Sequence, residues 1–235
     1  PSCTVIVFLP GIADITSLFE LLAGGQGRQD QERSVRPGAP RLQVFALHSQ
    51  IPRSEQEEVF HKVPADACHV VLASNIAESS LTLPSVCAVI DLALHRTVQY
   101  DTRRLMCCLV TAWCSRSSCK QRSGRAGRTM PGRAICMVPR SFFEHTMLQF
   151  DPPEMLNVPL TKLYLQAKQL CSTFAAHSGL GMPDPEMDLS TPKTLFREVI
   201  QPPSVELLGA AVQELAAVGC LTEPTDGAQI TELGR

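Results

Sequence analysis

Four short apolar runs limit what this chain can fold into more than any other feature: "TVIVFL" (4–9), "LQVFAL" (42–47), "HVVLA" (69–73) and "VCAVID" (86–91). Each is too short for a globular helix and rich in β-branched residues. Each is apolar at consecutive rather than alternate positions, so both faces of the strand must be covered. Between the first two, Ile12, Ile15, Leu18, Phe19 and Leu22 recur at helical spacing after the Pro10-Gly11 turn, and a second helix is expected to begin near Ser54. Strands alternating with helices predict an α/β fold, a mostly parallel sheet with helices on both faces.

The pattern breaks in three places. Ala23 to Pro40 is rich in Gly, Gln, Arg and Pro without periodicity, which predicts a flexible surface insertion. From Arg96 to Trp113, "RTVQYD" and "LMCCLVTAW" flank Thr102-Arg103-Arg104, the pattern of a projecting β-hairpin. A helix is expected across "QRSGRAGR" (121–128), and "RAICMVP" supplies a further strand. Beyond Phe150 the texture changes to a Pro-Pro break and an amphipathic helix in "DPPEMLNVPLTKLYLQAKQL", which sets a domain boundary near Asp151, dividing 1–151 from 152–235. A polar, Pro-containing loop is expected from Ser178 to Lys193. The end reads as helix, short strand, turn, short strand, the outline of a small winged-helix module incomplete at its C-terminal end.

The formal net charge is -2, so any polyanion must be met by a local patch rather than a global field. Trp113 to Arg133 is such a patch, with Arg116, Lys120, Arg122, Arg125, Arg128 and Arg133 and no acid. No apolar run approaches the roughly 20 residues a membrane helix needs, so no membrane partner is expected. Several of the ten cysteines sit inside apolar runs, as buried reduced thiols do, which predicts an intracellular setting, cytoplasmic or nuclear. The chain opens in mid-strand without a methionine and reads as a piece of a longer protein.

"QRSGRAGR" carries the sharpest chemistry. On a helix, Gln121, Arg125 and Arg128 would share one face, while Gly124 and Gly127 would clear the surface beside them. Two guanidinium forks aimed at one place, with a glutamine a turn earlier, suit a phosphoryl group in transfer. A merely solvated basic face would not carry glycines in mid-helix. The second stretch, "LASNIAESSLTLPSVCAVID" (72–91), places Ser74, Asn75, Glu78, Ser79, Ser80 and Thr82 between two strands. Such hydroxyl and amide groups bind phosphate or ribose without reading sequence, although turn and cap chemistry would use the same residues. Cys107, Cys108, Cys114 and Cys119 crowd together, but not as paired C-x2-C, and Cys107 and Cys108 point to opposite faces of a strand; no metal site is expected from them. His48 reads as a turn residue.

In order along the chain, "TVIVFLPGIADI", "LHSQIP", "LASNIAESSLTL" and "QRSGRAGR" resemble the DEAH-box (DEAH/RHA) RNA helicases, over the second RecA-like domain. "PPSVELLGAAVQELAAVGCL" through "ITELGR" resembles the winged-helix domain that follows it. Within the family, "NIAESSLTLP" and "WCSRSSCKQRSGRAGR" look most like the Tudor-domain-containing, spindle-E-like members, which implies small-RNA pathway proteins as partners.

The resemblance implies an ATP-dependent RNA helicase using ATP with Mg2+. Gln121 would position the attacking water, and Arg125 and Arg128 would reach the γ-phosphate as arginine fingers. Phe60 would stack on adenine, with Ser79, Thr82 and Gly124 near the nucleotide. Ser49, Ser74 and Asn75 would touch single-stranded RNA, and Arg103 and Arg104 at the hairpin tip would meet its phosphates. Pro84 stands where many members have an aspartate, and Ser79 where they have threonine; proline cannot accept a hydrogen bond through its side chain, which implies looser ribose recognition.

No "GxxxxGK[ST]" loop and no "DEAH" run occurs. The expected partners therefore include an N-terminal RecA-like domain bearing the Mg2+ ligands, and C-terminal helicase domains. The chain alone is expected to be inactive. Two other readings stay open: a catalytically degenerate RNA-binding scaffold, and a DNA-directed RecA-type translocase.

Overall fold

The computed structural model describes residues 3–27, 41–79, 82–101, 106–156, 159–176 and 191–235. Its central sheet contains β1 (Cys3–Phe8), β2 (Arg41–Leu47), β3 (Ala67–Ala73), β4 (Val86–Asp91) and β7 (Arg133–Cys136), in the order β2-β3-β1-β4-β7. Every pairing is parallel. The consecutive apolar runs are explained by burial on both faces. Ile6, Phe8, Leu47, Val71, Ala73 and Val89 point to one face, where Val59, Ala77 and Leu83 complete the core. Their neighbours Val7, Val70 and Leu72 point to the other, where Ile15, Leu18, Phe19 and Leu22 of α1 (Ile12–Gly27) cover them. The period of two along each strand thus divides one run between two cores.

α2 (Arg53–Glu57) and a 3-10 turn (Glu58–Phe60) lead into β3, and α3 (Ile76–Ser79) follows it. β5 (Leu94–Asp101) and β6 (Met106–Trp113) pair in a separate two-stranded sheet, the expected hairpin; Arg103 and Arg104 lie outside the described residues. α4 (Arg116–Ser123) starts on a Ser115 cap, whose Oγ accepts from the Ser118 N–H at 3.0 Å. Asp151 secures that cap, accepting from Ser115 Oγ at 2.8 Å and Ser115 N–H at 3.1 Å.

Contacts divide the chain into one compact unit of Pro1–Thr97 with Leu109–Asp151, and another of Val98–Cys108 with Pro152–Arg235. The second unit holds a core of Leu160, Tyr164 and Ala167 on α6 (Leu160–Ala176), Phe196 on α7 (Pro192–Arg197), and Leu208, Ala211, Val212 and Leu215 on α8 (Val205–Ala217).

Several sequence expectations need correction. α1 runs on to Gly27 and takes in the start of the stretch read as an insertion, continuing past the Leu18, Phe19 and Leu22 face that packs on the sheet; residues 28–40 lie outside the described part. α7 begins at Pro192, inside the expected loop, where Thr191 caps it and proline suits the first turn; 177–190 are not described. α5 (Arg140–His145) forms in "RSFFEH", which the periodicity did not assign. The two short C-terminal strands reduce, among the described residues, to one antiparallel bridge between Leu221 and Ile230.

Candidate functional site

A further correction bears on the site itself. The helix across "QRSGRAGR" stops at Ser123, so Gln121, Arg125 and Arg128 do not share a helical face. Gly124 closes α4, and the turn continues through Arg125 N–H to Arg122 O at 3.0 Å and Ala126 N–H to Ser123 O at 3.2 Å. Gly127 then takes φ +80, the left-handed region that glycine enters at low cost. Gly132 permits the return: a Cβ there would lie 2.7 Å from Gly127 N and 2.9 Å from Ala126 Cβ. Both glycines bend the chain toward β7 instead of smoothing a helix surface.

The three arginines have different fates. Arg122, which the sequence placed only in the basic patch, is the largest fully buried side chain among the described residues. Its Nε donates to Glu78 Oε2 at 3.0 Å, and its Nη1 to Asp91 Oδ1 at 2.9 Å and Leu94 O at 3.2 Å. Its guanidinium carbon lies 5.0 Å from the centre of the Phe8 ring. Burial opposes its charge, yet Cys114, Asp91 and Glu78 together outweigh burial and hold its pKa above the ordinary value. Arg125 is buried against α3, with Nη2 donating to Glu78 O. Burial, then the like charge of Arg128, lower its pKa. Arg128 is exposed; its Nε donates to Gly124 O at 3.1 Å, a bond in which the two terminal nitrogens of the fork take no part.

Glu78 is the hub of this arrangement. Its carboxylate accepts from Ser118 Oγ at 2.8 Å and from Arg122, while its carbonyl accepts from Arg125. One short segment thereby ties α3 to both ends of α4. Asp91 also fixes the backbone beyond β4. Its Oδ1 accepts from the Ala93 N–H at 2.9 Å, holding Ala93 at φ 58. A signal for these residues existed in the sequence. A carboxylate ending an apolar strand, and a lone glutamate among small residues, both require a cation once buried.

The remaining predicted residues lie at different places around the sheet. Ser49 follows the carboxyl end of β2 and is exposed. Ser74 and Asn75 follow β3: Ser74 is buried with its N–H on Leu47 O at 3.2 Å, and Asn75 is exposed. Thr82, exposed, lies in the segment entering the amino end of β4, where Pro84 O accepts from Thr4 Oγ1 at 2.8 Å. Gly124 and Arg125 to Arg128 belong to the segment entering β7. Phe60 lies in the segment entering β3 and is 39% exposed, unlike the adjoining Val59 at 1%. Ser79 ends α3, and Gln121 is exposed on α4. The nucleotide candidates Phe60, Thr82, Gly124, Arg125 and Arg128 sit on segments entering strands and Gln121 on α4, while Ser79 shares the segment leaving β3 with the RNA candidates Ser74 and Asn75, and Ser49 leaves β2.

Residues 2–130 match the family model described as helicase conserved C-terminal domain. The chain belongs to that family. It is 35% identical over 227 residues to a probable ATP-dependent RNA helicase spindle-E of Anopheles gambiae, covering 95% of this chain and 14% of that protein. It is 33% identical over 240 residues to the mouse (Mus musculus) ATP-dependent RNA helicase TDRD9, covering 99% of this chain and 15% of that protein. The structure resembles the E. coli DExH-box NTPase HrpB with a TM-score of 0.71 at 27% identity, covering all of this chain and 24% of that one. These likenesses identify a DEAH-box helicase C-terminal domain with a RecA-like, mostly parallel sheet. The chain spans about one-seventh of the length of the curated relatives it matches, 14% and 15% for the two named.

Proposed function

We propose that this helicase domain supplies the arginine-finger half of an ATP site and part of the single-stranded RNA track of an ATP-dependent RNA helicase. Arg128 reaches the γ-phosphate of an ATP held with Mg2+ mainly by a preceding RecA-like domain. Arg125 locks the finger's base onto α3, Gln121 orients water, and Phe60 stacks on adenine. The observation that carries the reading is the division of labour among the arginines: Arg122 and Arg125 are buried on Glu78 while Arg128, beyond the Gly124 cap of α4, is exposed. A fold that needed only a solvated basic face would not bury two guanidiniums to fix the base of a third.

RNA lies along Ser49, Ser74 and Asn75, which follow the carboxyl ends of β2 and β3, with Arg103 and Arg104 at its phosphates. Cleft opening and closing during hydrolysis moves that track relative to the other domain. The second unit is a winged-helix domain, a reading supported by the packing of α6, α7 and α8 around one core and the Leu221–Ile230 bridge. The helicase's partners include small-RNA pathway proteins, a reading that rests on the resemblance of "NIAESSLTLP" and "WCSRSSCKQRSGRAGR" to the spindle-E-like members. This chain alone hydrolyses no ATP above background, because the phosphate loop and Mg2+ ligands belong to the preceding domain.

The test is Arg128→Ala in the intact helicase. Turnover should fall by about 10³-fold or more with RNA affinity nearly unchanged, because the charge acts on the transition state. Lysine should rescue poorly for want of the planar fork. Near-normal turnover with weakened, less salt-dependent RNA binding would refute the assignment.

A further inference from the structure

Asp91 and Cys136 are register partners in the parallel pairing of β4 and β7, so their side chains leave the same face of the sheet side by side. Over that face packs α4, which contributes Cys119. The carboxylate oxygen and two sulfurs all lie within 4.8 Å of one another. A second observation singles out the same spot. Asp91 is 3% exposed, and while Oδ1 serves Arg122 and Ala93, its Oδ2 is buried with no hydrogen-bond partner. All three residues line a cavity of about 680 Å³, walled also by Ser117 and Gln149.

A buried carboxylate oxygen without a donor is costly, and a bound cation is one way to satisfy it. Arg122 does not fill that place, since its bond to Asp91 is made on the other oxygen. Two thiols and a carboxylate match the donor set of a thiophilic divalent cation. Tetrahedral zinc with Zn–S of about 2.3 Å sets its sulfurs roughly 3.8 Å apart, within the spread found here. We propose that Asp91, Cys119 and Cys136 form a Zn2+ site with three protein ligands and a fourth position opening into the cavity.

Binding breaks two S–H bonds, forms two Zn–S bonds and one Zn–O bond, and releases two protons to solvent with no change of oxidation state. Three anionic ligands over-neutralise the ion, and the Arg122 guanidinium on the far oxygen of Asp91 balances the excess. The ligands come from β4, α4 and β7, so no local C-x2-C spacing announces them. The site would tie the edge strand β7 to α4, the helix that ends in the arginine motif.

Co2+ is the spectroscopic probe and Zn2+ the competitor, both added to the reduced, folded 235-residue chain. One equivalent of Co2+ should give a thiolate-to-cobalt charge-transfer band, which one equivalent of Zn2+ removes. Cys136→Ser should weaken Co2+ binding by more than the ~10–100-fold that losing an outer-shell partner costs, and Cys119→Ser likewise. Cys107→Ser, an exposed thiol on β6, should leave the band unchanged. Because Cys136 is exposed, its serine variant should fold even if that of buried Cys119 does not. No band in the wild-type chain, or a band of undiminished affinity in Cys136→Ser, overturns the proposal.

Discussion

Replacing Arg122 with methionine tests whether the arginine motif is held by a folded charge network. The substitution keeps most of the volume and removes the cation. Asp91 would suffer most: its side chain is 4% exposed, and it would keep the Ala93 N–H on Oδ1 as its protein donor in this network. Glu78 would suffer less, being 17% exposed and still bonded to Ser118 Oγ. Breaking a buried pair by removing one partner costs about 3–5 kcal/mol. The asymmetry puts most of that on Asp91. For a chain of this size, such a loss lowers Tm by roughly 6–20 °C, at about 2–4 °C per kcal/mol. Thermal and urea unfolding of the 235-residue chain measure it. The double variant Arg122→Met with Asp91→Asn should regain part of the loss, because the carboxylate left behind is the cause. A Tm within 1–2 °C of wild type for Arg122→Met, or no recovery in the double variant, would refute the reasoning, since ~1 kcal/mol or less is what an exposed pair contributes.

Phe60→Ala should leave unfolding nearly unchanged, well short of the roughly 3–5 kcal/mol that a core phenylalanine loses, while weakening ATP binding in the intact helicase; a large fall in Tm would return Phe60 to the core. Stability should also depend on pH through His69, which is buried in β3 with its Nε2 3.0 Å from Gln43 Oε1 and its pKa lowered by burial from 6.5. Below pH 6.5 the unfolded chain binds this proton more readily than the folded one, so the contribution present above that value is lost as pH falls toward the folded pKa. Urea unfolding between pH 7 and 5 should show the loss, and His69→Gln, which can keep the bond to Gln43 without titrating, should flatten it; equal slopes in both chains would exclude His69 as the source.

The sheet was legible because burial on two faces leaves an unmistakable mark. "TVIVFL" and "HVVLA" supply Ile6, Phe8 and Val71 to one core and Val7, Val70 and Leu72 to the other, which no one-sided strand could do. The motif residues were legible as chemistry but not as geometry. "QRSGRAGR" read as helix because Gln121, Arg125 and Arg128 have helical spacing, yet the glycines turn the backbone at Gly127. Spacing describes a face only while the helix lasts. Arg122 stayed hidden because its partners lie 44 and 31 residues away, on α3 and β4. Local periodicity has no access to separations of that size; a buried acid with no near cation was the available clue. The C-terminal strands failed for another reason: "CLTEPTDGAQI" reads as a hairpin, but between Leu221 and Ile230 the polar turn leaves room for a single bridge.

The motif's lack of carboxylates now has a physical reason. Its cations are matched, but from elsewhere in the chain: Glu78 and Asp91 reach Arg122 from the ends of α3 and β4, and the carbonyl of Glu78 takes Arg125. A carboxylate inside the motif would compete for Arg128, the one arginine of the three left exposed. Such a pair would neutralise the residue proposed as the finger before any phosphate arrived. Distant acids instead fix the base of the turn, and Gly124 O, a neutral acceptor, orients Arg128 through Nε alone. Arg128 therefore keeps its charge and leaves its two terminal nitrogens out of that bond; under the proposed function this is the form in which a guanidinium would stabilise a transferring phosphoryl group at least reorganisation cost.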